Sequence, residues 1–222
     1  MCFSTEVSFG ASAVLLTIGV VSIKKSANVP QKILSCVPLI FGLQQFSEGI
    51  LWLSLSHPAL AQWGQIATYA FLVLAVVWPI VIPFSVLLLE KEQIKKNILA
   101  GLLVLGIIVS SYLLYCVLSY KAEAQISCYH IQYNMHYTKH FQHSGIFYFL
   151  PTVFSLIISS TKRLRLLGVV MFLSYVATRM FYENYLISVW CFFAAIISVI
   201  ILSVIIKLNE PVAQVLTNEP AH

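Results

Sequence analysis

The sequence of 222 residues contains no aspartate, and all eight of its acidic residues are glutamates. This absence excludes Asp-x-Asp metal motifs and aspartyl-phosphate chemistry. Charged residues make up only 9% of the chain, against roughly a quarter in soluble domains, which excludes a soluble fold. The motifs of serine hydrolases, zinc proteases, phosphate-binding loops and EF-hands are missing as well. The net charge of +5 comes from short basic clusters between apolar runs and requires no nucleic-acid partner.

Apolar residues supply 59% of the sequence and are concentrated in seven runs. A helix rises about 1.5 Å per residue, so about 20 residues cross a hydrocarbon core of about 30 Å. The sequence therefore predicts an all-α fold, a polytopic membrane protein with a bundle of seven transmembrane helices. The predicted spans are residues 7–23, 33–55, 64–89, 97–119, 140–160, 166–180 and 185–206.

Two of these runs have features of their own. The third contains Trp78-Pro79 and Pro83, which predict a kink near its middle because proline removes a helical hydrogen bond. The sixth is short, so it is expected either to thin the bilayer or to extend past Arg179. Residues 1–207 form the predicted membrane domain, and residues 208–222 form a polar, disordered tail.

Basic residues orient the predicted bundle, since Lys and Arg are enriched in cytoplasmic connections. With seven alternating spans, three basic residues, Lys121, Lys139 and Arg179, lie on one side and ten lie on the other. The amino terminus is therefore predicted to be outside and the carboxyl terminus cytoplasmic. The ten predicted cytoplasmic residues are Lys24, Lys25, Lys32, Lys91, Lys95, Lys96, Lys162, Arg163, Arg165 and Lys207.

Polar residues inside the second run mark the most informative stretch. A charged side chain at the centre of a bilayer costs about 2.5 kcal/mol or more, so Glu48 is a functional-site candidate and the candidate catalytic residue. The alternative is a buried, protonated Glu48 that is hydrogen-bonded to its neighbours and has only a structural role. At about 100° per residue, Gln44, Gln45 and Trp52 share its helix face. The predicted ligand-binding residues are Gln44, Gln45, Glu48, Trp52 and Glu183.

A row of histidines precedes the fifth run. If that helix begins early, His136, His140 and His143 lie on one face at positions i, i+4 and i+7. Two imidazoles one turn apart together with a third ligand suit a divalent metal, so these residues are predicted ligands for Zn, Cu or Fe. The alternative is that the His, Tyr and Gln side chains of this loop lie along the membrane interface.

Two stretches of the sequence resemble a known family. One is the opening Met-Cys-Phe-Ser, and the other is the block from Gly42 to Leu53. The chain resembles uncharacterised bacterial integral-membrane proteins that begin with Met-Cys-Phe-Ser and carry Gly-x-Gln-Gln-x-x-Glu-Gly-x-x-Trp-Leu in helix two. The resemblance implies a multi-pass protein of the bacterial cytoplasmic membrane. It draws attention to Cys2 and to the Gln44–Trp52 block without naming a reaction.

The predicted orientation places Glu48 in the outer half of the membrane, together with Glu183 and the histidine row. We therefore expect an outward-facing polar cavity that binds a small molecule, a lipid or a metal, in a binding or sensing role. One alternative is a metal-dependent membrane hydrolase with a lipid-like substrate, in which Glu48 is the general base. The other is a proton-coupled transporter in which Glu48 titrates. The sequence leaves the oligomeric state open.

Overall fold

The computed structural model describes residues 4–127, 130–135, 144–181 and 186–217, and this part of the chain is mostly helical. A 3₁₀ helix, Pro58–Trp63, precedes the third helix, and a π-helical segment, Leu150–Phe154, joins the sixth to the seventh. The helices are α1 (Thr5–Lys25), α2 (Val29–Ser56), α3 (Gly64–Val76), α4 (Trp78–Leu89), α5 (Gln93–Ser119), α6 (Ser144–Phe149), α7 (Ser155–Ile158), α8 (Lys162–Phe181) and α9 (Leu186–Thr217).

Within the described residues, five helical stretches are long and apolar enough to cross a membrane, which suggests a multi-pass membrane protein. They are Thr5–Lys25, Val29–Ser56, Pro58–Leu89, Gln93–Ser119 and Lys162–Phe181. The last one corresponds to the short sixth run, which reaches 20 residues by starting earlier and passing Arg179.

The prediction of seven spans is therefore wrong in its count. In the described part of the chain, the fifth and seventh predicted runs give only shorter apolar helices, Gly145–Ile158 and Ser198–Asn209. The fifth is interrupted by Pro151, which lies in the π-helical segment and cannot donate a backbone hydrogen bond. The outside–inside orientation and the boundary at Lys207 stay predictions, and α9 continues past that boundary to Thr217.

The predicted kink of the third run is a complete helix break. α3 ends at Val76, and α4 starts at Trp78. Pro79 has no N–H group to donate to the carbonyl of Ala75, and the N–H of Ile80 donates to Val77 rather than to Val76. The carbonyl groups of Ala75 and Val76 therefore lose their usual helical donors.

Two side chains from other helices supply the missing hydrogen bonds. The Tyr148 hydroxyl of α6 donates to the Ala75 carbonyl at 2.7 Å, and the Ser110 hydroxyl of α5 donates to the Val76 carbonyl at 2.7 Å. Away from water, unpaired backbone groups cost several kcal/mol, so these hydroxyls are what allows a break inside an apolar span.

The centre of the bundle is α2, along which α1 packs at small residues. The Ser12 hydroxyl donates to the Gly42 carbonyl at 2.8 Å. A Cβ atom on Gly42 would lie 2.8 Å from the Leu16 side chain, and one on Gly49 would lie 2.9 Å from the Phe9 ring. Small residues at these positions let the two backbones approach closely, as is common between membrane helices.

A β-hairpin follows α5 and corrects the all-α prediction. Strand β1 (Ala122–Ser127) pairs antiparallel with β2 (His130–Met135), from Ala122 opposite Met135 to Ser127 opposite His130. The predicted loop is thus partly a hairpin, and Ile131, Tyr133 and Met135 alternate with polar residues as in a half-buried strand.

The hairpin covers the carboxyl-terminal end of α2 and the start of α3. Ile131 is fully buried in one cluster with Leu51 and Trp52. Tyr133 stacks on Phe71 of α3, with ring centroids 4.8 Å apart. The side chains that point inward from the hairpin therefore close this end of the bundle.

At the opposite end, the Glu90 carboxylate joins two connections. It accepts hydrogen bonds from the backbone N–H groups of Lys91 at 2.8 Å, Glu92 at 3.1 Å and Ser160 at 2.7 Å. Burial by itself would raise the pKa of Glu90, but the hydrogen bonds from Ser160, Glu92 and Lys91 outweigh it and lower the pKa to about 2. The carboxylate is therefore charged and holds the α4–α5 and α7–α8 connections together.

The end of α9 lies at the same end of the bundle. The Asn209 amide donates to the carbonyl of Lys25 at 2.7 Å, and its side-chain oxygen accepts from Gln31 at 3.1 Å. Arg163 of α8 donates to the carbonyl of Ser203 at 2.7 Å. α9 is thus tied both to the α1–α2 connection and to the beginning of α8.

Candidate functional site

The candidate site is centred on Glu48 in the middle of α2, and this side chain has no exposed surface. One carboxyl oxygen accepts from the Gln45 amide at 3.2 Å, and the other accepts from the Ser188 hydroxyl of α9 at 2.7 Å. Gln45 and Ser188 are also fully buried. The carboxyl group therefore links α2 to α9 through polar contacts inside the bundle.

Gln44, the neighbour of Gln45 on α2, makes a polar contact with α4. Its side-chain oxygen accepts from the Trp78 indole N–H at 3.1 Å, and Gln44 is fully buried. The Trp78 ring stacks on Phe41, with centroids 3.8 Å apart. Since Trp78 is the first residue after the helix break, Gln44 connects α2 to the break itself. We call Gln44, Gln45, Glu48, Ser188 and Trp78 the polar network.

Trp52, one turn after Glu48, is also buried, with 6% of its surface exposed. It packs beneath Ile131 of the hairpin, and its indole N–H has no hydrogen-bond partner among the described residues. The hairpin therefore covers the side from which a ligand was expected to enter. The described residues form a closed polar network and show no outward-facing polar cavity at Glu48.

A small cavity of about 30 Å³ lies beside the polar network and is lined by side chains of α2, α4, α6, α8, α9 and the π-helical segment. Its walls are almost entirely carbon atoms. It has room for an occupant of a few atoms and is too small for a lipid chain. The lining residues include Phe41, Trp78, Tyr148, Thr152, Met171 and Trp190.

The cavity shares Trp78 with the polar network and Tyr148 with the helix break. Trp190 brings a buried indole N–H that has no partner among the described residues. π-helical segments occur frequently at functional sites, and here one contributes Thr152 to the cavity wall. The network, the break and the cavity therefore form one connected region.

The predicted metal ligands His136, His140 and His143, and the predicted ligand-binding residue Glu183, lie outside the described residues and stay predictions. Within the described part of the chain, no group of three His, Cys, Asp or Glu side chains could hold a metal ion. His130 in β2 is buried, and burial lowers its pKa below the usual value, which favours a neutral imidazole.

Sequence reasoning found Gln44, Gln45 and Glu48 but missed their partners on other helices. In the sequence, Trp78 stands out only as part of the predicted proline kink, and nothing local links Ser188 to Glu48. Ser188 carried a usable signal, because it is a polar residue near the start of the apolar seventh run, in the same predicted outer half as Glu48. Only the packing of α2 against α4 and α9 identifies the pairs.

The chain matches the model of a family of unknown function (DUF6629) over residues 1–215. No curated protein and no solved structure matches the chain.

Proposed function

Since the chain belongs to the DUF6629 family, whose function is unknown, its role must be inferred from its own residues. We propose that it is a multi-pass protein of the bacterial cytoplasmic membrane that binds a small ligand at the polar network and has a binding or sensing role. In the proposed orientation the amino terminus is outside and the carboxyl terminus is cytoplasmic.

The observation that carries the proposal is the full burial of Glu48 between Gln45 and Ser188. Helix packing alone does not require such a group, because replacing buried ionic groups by apolar residues of similar volume is often neutral or stabilising. Ionisable side chains within membrane helices usually mark a functional site. A network that includes two amides and a carboxyl group therefore favours recognition over packing.

The position of the network favours sensing in particular. The Ser188–Glu48 contact joins α9 to α2, and the Trp78–Gln44 contact joins α2 to the broken span. A ligand that replaces Ser188 at the Glu48 carboxyl would release α9, and it would disturb α4 through Gln44. Since the network is closed, binding requires a state in which α9 or the hairpin has moved, and the ligand stabilises that state.

The chemistry of the network limits the ligand. The Glu48 carboxyl accepts hydrogen bonds, and the Gln44 and Gln45 amides both donate and accept. The neighbouring cavity wall is apolar. We expect a small amphipathic molecule or a lipid headgroup that brings a hydroxyl or an amine to Glu48.

The experiment is native mass spectrometry of the purified protein, in which co-purifying small molecules and lipids are identified and counted. Glu48→Gln retains the shape of the side chain and is expected to lose the bound molecule while keeping the fold. Ser12→Ala is the control, because Ser12 is also buried, but it lies on α1 and donates to the Gly42 carbonyl. Equal occupancy in wild type and Glu48→Gln would show that Glu48 has only a structural role.

The broken span favours proton-coupled transport as a second candidate. Transporter sites are typically built at discontinuous helices, and the break at Val77 lies one residue from Trp78 of the network. Reconstituted protein would then acidify vesicles in a substrate-dependent manner, and Glu48→Gln would abolish this flux. The hydrolase alternative depends on a metal site at His136, His140 and His143, and elemental analysis tests it.

A further inference from the structure

One end of the bundle collects most of the basic residues of the chain. The ten lysines and arginines predicted to be cytoplasmic lie in four segments: the α1–α2 connection, the α4–α5 connection, the start of α8 and the end of α9. Hydrogen bonds join these segments to one another, through Asn209 to Lys25, Arg163 to Ser203, and Ser160 to Glu90. The ten residues therefore lie at one end of the bundle, on segments that contact one another, and we call this set of residues the basic rim.

Few charges of the basic rim are paired with a carboxylate among the described side chains. Among the described side chains, the carboxylates at this end are Glu90 and Glu92. Glu90 is occupied by three backbone N–H groups, and Glu92 pairs with Lys95 at 2.8 Å. Lys162 and Arg165 are exposed and have no hydrogen bond or ion pair among the described residues. In the described part of the chain, most of this positive charge therefore has no acidic partner.

The opposite end differs. Lys121, next to the hairpin, is exposed but forms an ion pair with Glu123 at 2.7 Å. The two ends differ strongly in their number of basic residues. This difference does more than orient the spans, because the segments that carry the rim charges contact one another in the folded protein. A positively charged surface at the level where the apolar helices end is complementary to negatively charged headgroups.

We propose that the basic rim binds the headgroups of anionic phospholipids in the surrounding bilayer. The proposal rests on the membrane location stated under Proposed function, but not on ligand binding at Glu48. Phosphate oxygens of the headgroups would accept hydrogen bonds from the lysine and arginine side chains of the rim. Anionic lipid bound there would also bridge the four segments and hold the ends of α1, α5, α8 and α9 together.

The test measures which lipids the full-length protein retains. Protein is reconstituted with a mixture of phosphatidylcholine and phosphatidylglycerol, released gently, and its bound lipids are counted by native mass spectrometry. Wild type should enrich phosphatidylglycerol over the supplied mixture. Lys162→Gln and Arg165→Gln should each lower the enrichment by about fivefold, the factor that corresponds to about 1 kcal/mol per basic residue. Added salt should lower it further.

Lys121→Gln is the matched control, because it removes one exposed lysine at the other end and should leave the enrichment unchanged. Bound lipids that simply mirror the supplied mixture would overturn the proposal, and so would an equal loss in Lys121→Gln. The Glu48→Gln variant separates the two proposals, since it should lose the ligand of the polar network while retaining phosphatidylglycerol at the rim.

Discussion

Helix α5 closely approaches the helix break at Gly106, and a single methyl group tests this contact. A Cβ atom on Gly106 would overlap the carbonyl oxygen of Pro79, lie 2.7 Å from the carbonyl carbon and lie 3.4 Å from the Pro151 side chain. The Pro79 atoms belong to the backbone and cannot rotate away. Gly101 lies on the same helix, and a Cβ atom there would meet nothing within 4 Å.

The two Gly→Ala substitutions should therefore have opposite effects. Replacing glycine by alanine in an exposed helix position stabilises by up to about 1 kcal/mol, which we expect for Gly101→Ala. At Gly106 the same gain is opposed by overpacking, which costs typically 1–3 kcal/mol. Moving α5 away would also weaken the Ser110–Val76 hydrogen bond, worth about 1 kcal/mol. The expected net loss for Gly106→Ala is about 1–3 kcal/mol.

The assay is thermal unfolding of the purified protein in detergent, followed with a thiol-reactive dye. Cys116 is a suitable reporter, because it lies on α5 with only 1% of its surface exposed. For a chain of this size, 1 kcal/mol corresponds to about 2–4 °C, so Gly106→Ala should unfold about 2–12 °C below wild type. Equal melting temperatures for the two variants, or a rise for Gly106→Ala, would refute the close approach of α5 to the break.

Three further predictions concern other regions. The pKa of Glu90 is about 2, below its ordinary value of 4.5. The charged carboxylate should therefore stabilise the fold by about 2–3 kcal/mol above pH 4.5, and this stabilisation should disappear toward pH 2. The melting temperature of Glu90→Gln should lack this pH-dependent step. An impermeant thiol reagent should label Cys128 in intact cells but not a cysteine introduced at Lys95, and the reverse pattern would invert the orientation. Elemental analysis should find near-stoichiometric Zn, Cu or Fe, lost in His136→Ala with His140→Ala; stable, metal-free protein would contradict the metal site.

The sequence predicted features that depend on single residues better than those that depend on packing. Pro79 removes a donor wherever it lies in a helix, so the kink was predictable. A glutamate within an apolar run costs free energy in any fold, so Glu48 stood out. The partners Trp78 and Ser188 come from distant helices, and only the crossing of α2 with α4 and α9 determines them.

The number of spans and the hairpin were missed for a different reason. Hydropathy responds to apolar length and does not register that Pro151 interrupts the fifth run. In the loop before it, histidines and glutamines obscured the alternation of Ile131, Tyr133 and Met135. The covering of Trp52 by this hairpin closes the expected entrance to the site, and no local pattern in α2 indicates it.

The helix break also has a consequence for how the protein is assembled. When the segment Pro58–Leu89 first enters the bilayer, the carbonyl groups of Ala75 and Val76 have no partner, because Ser110 and Tyr148 lie later in the chain. The segment must then keep these carbonyl groups near water until α5 and α6 have been inserted. The two hydrogen bonds at the break are therefore formed in the order in which the chain is synthesised. The break reaches its final form only after Tyr148 has been inserted.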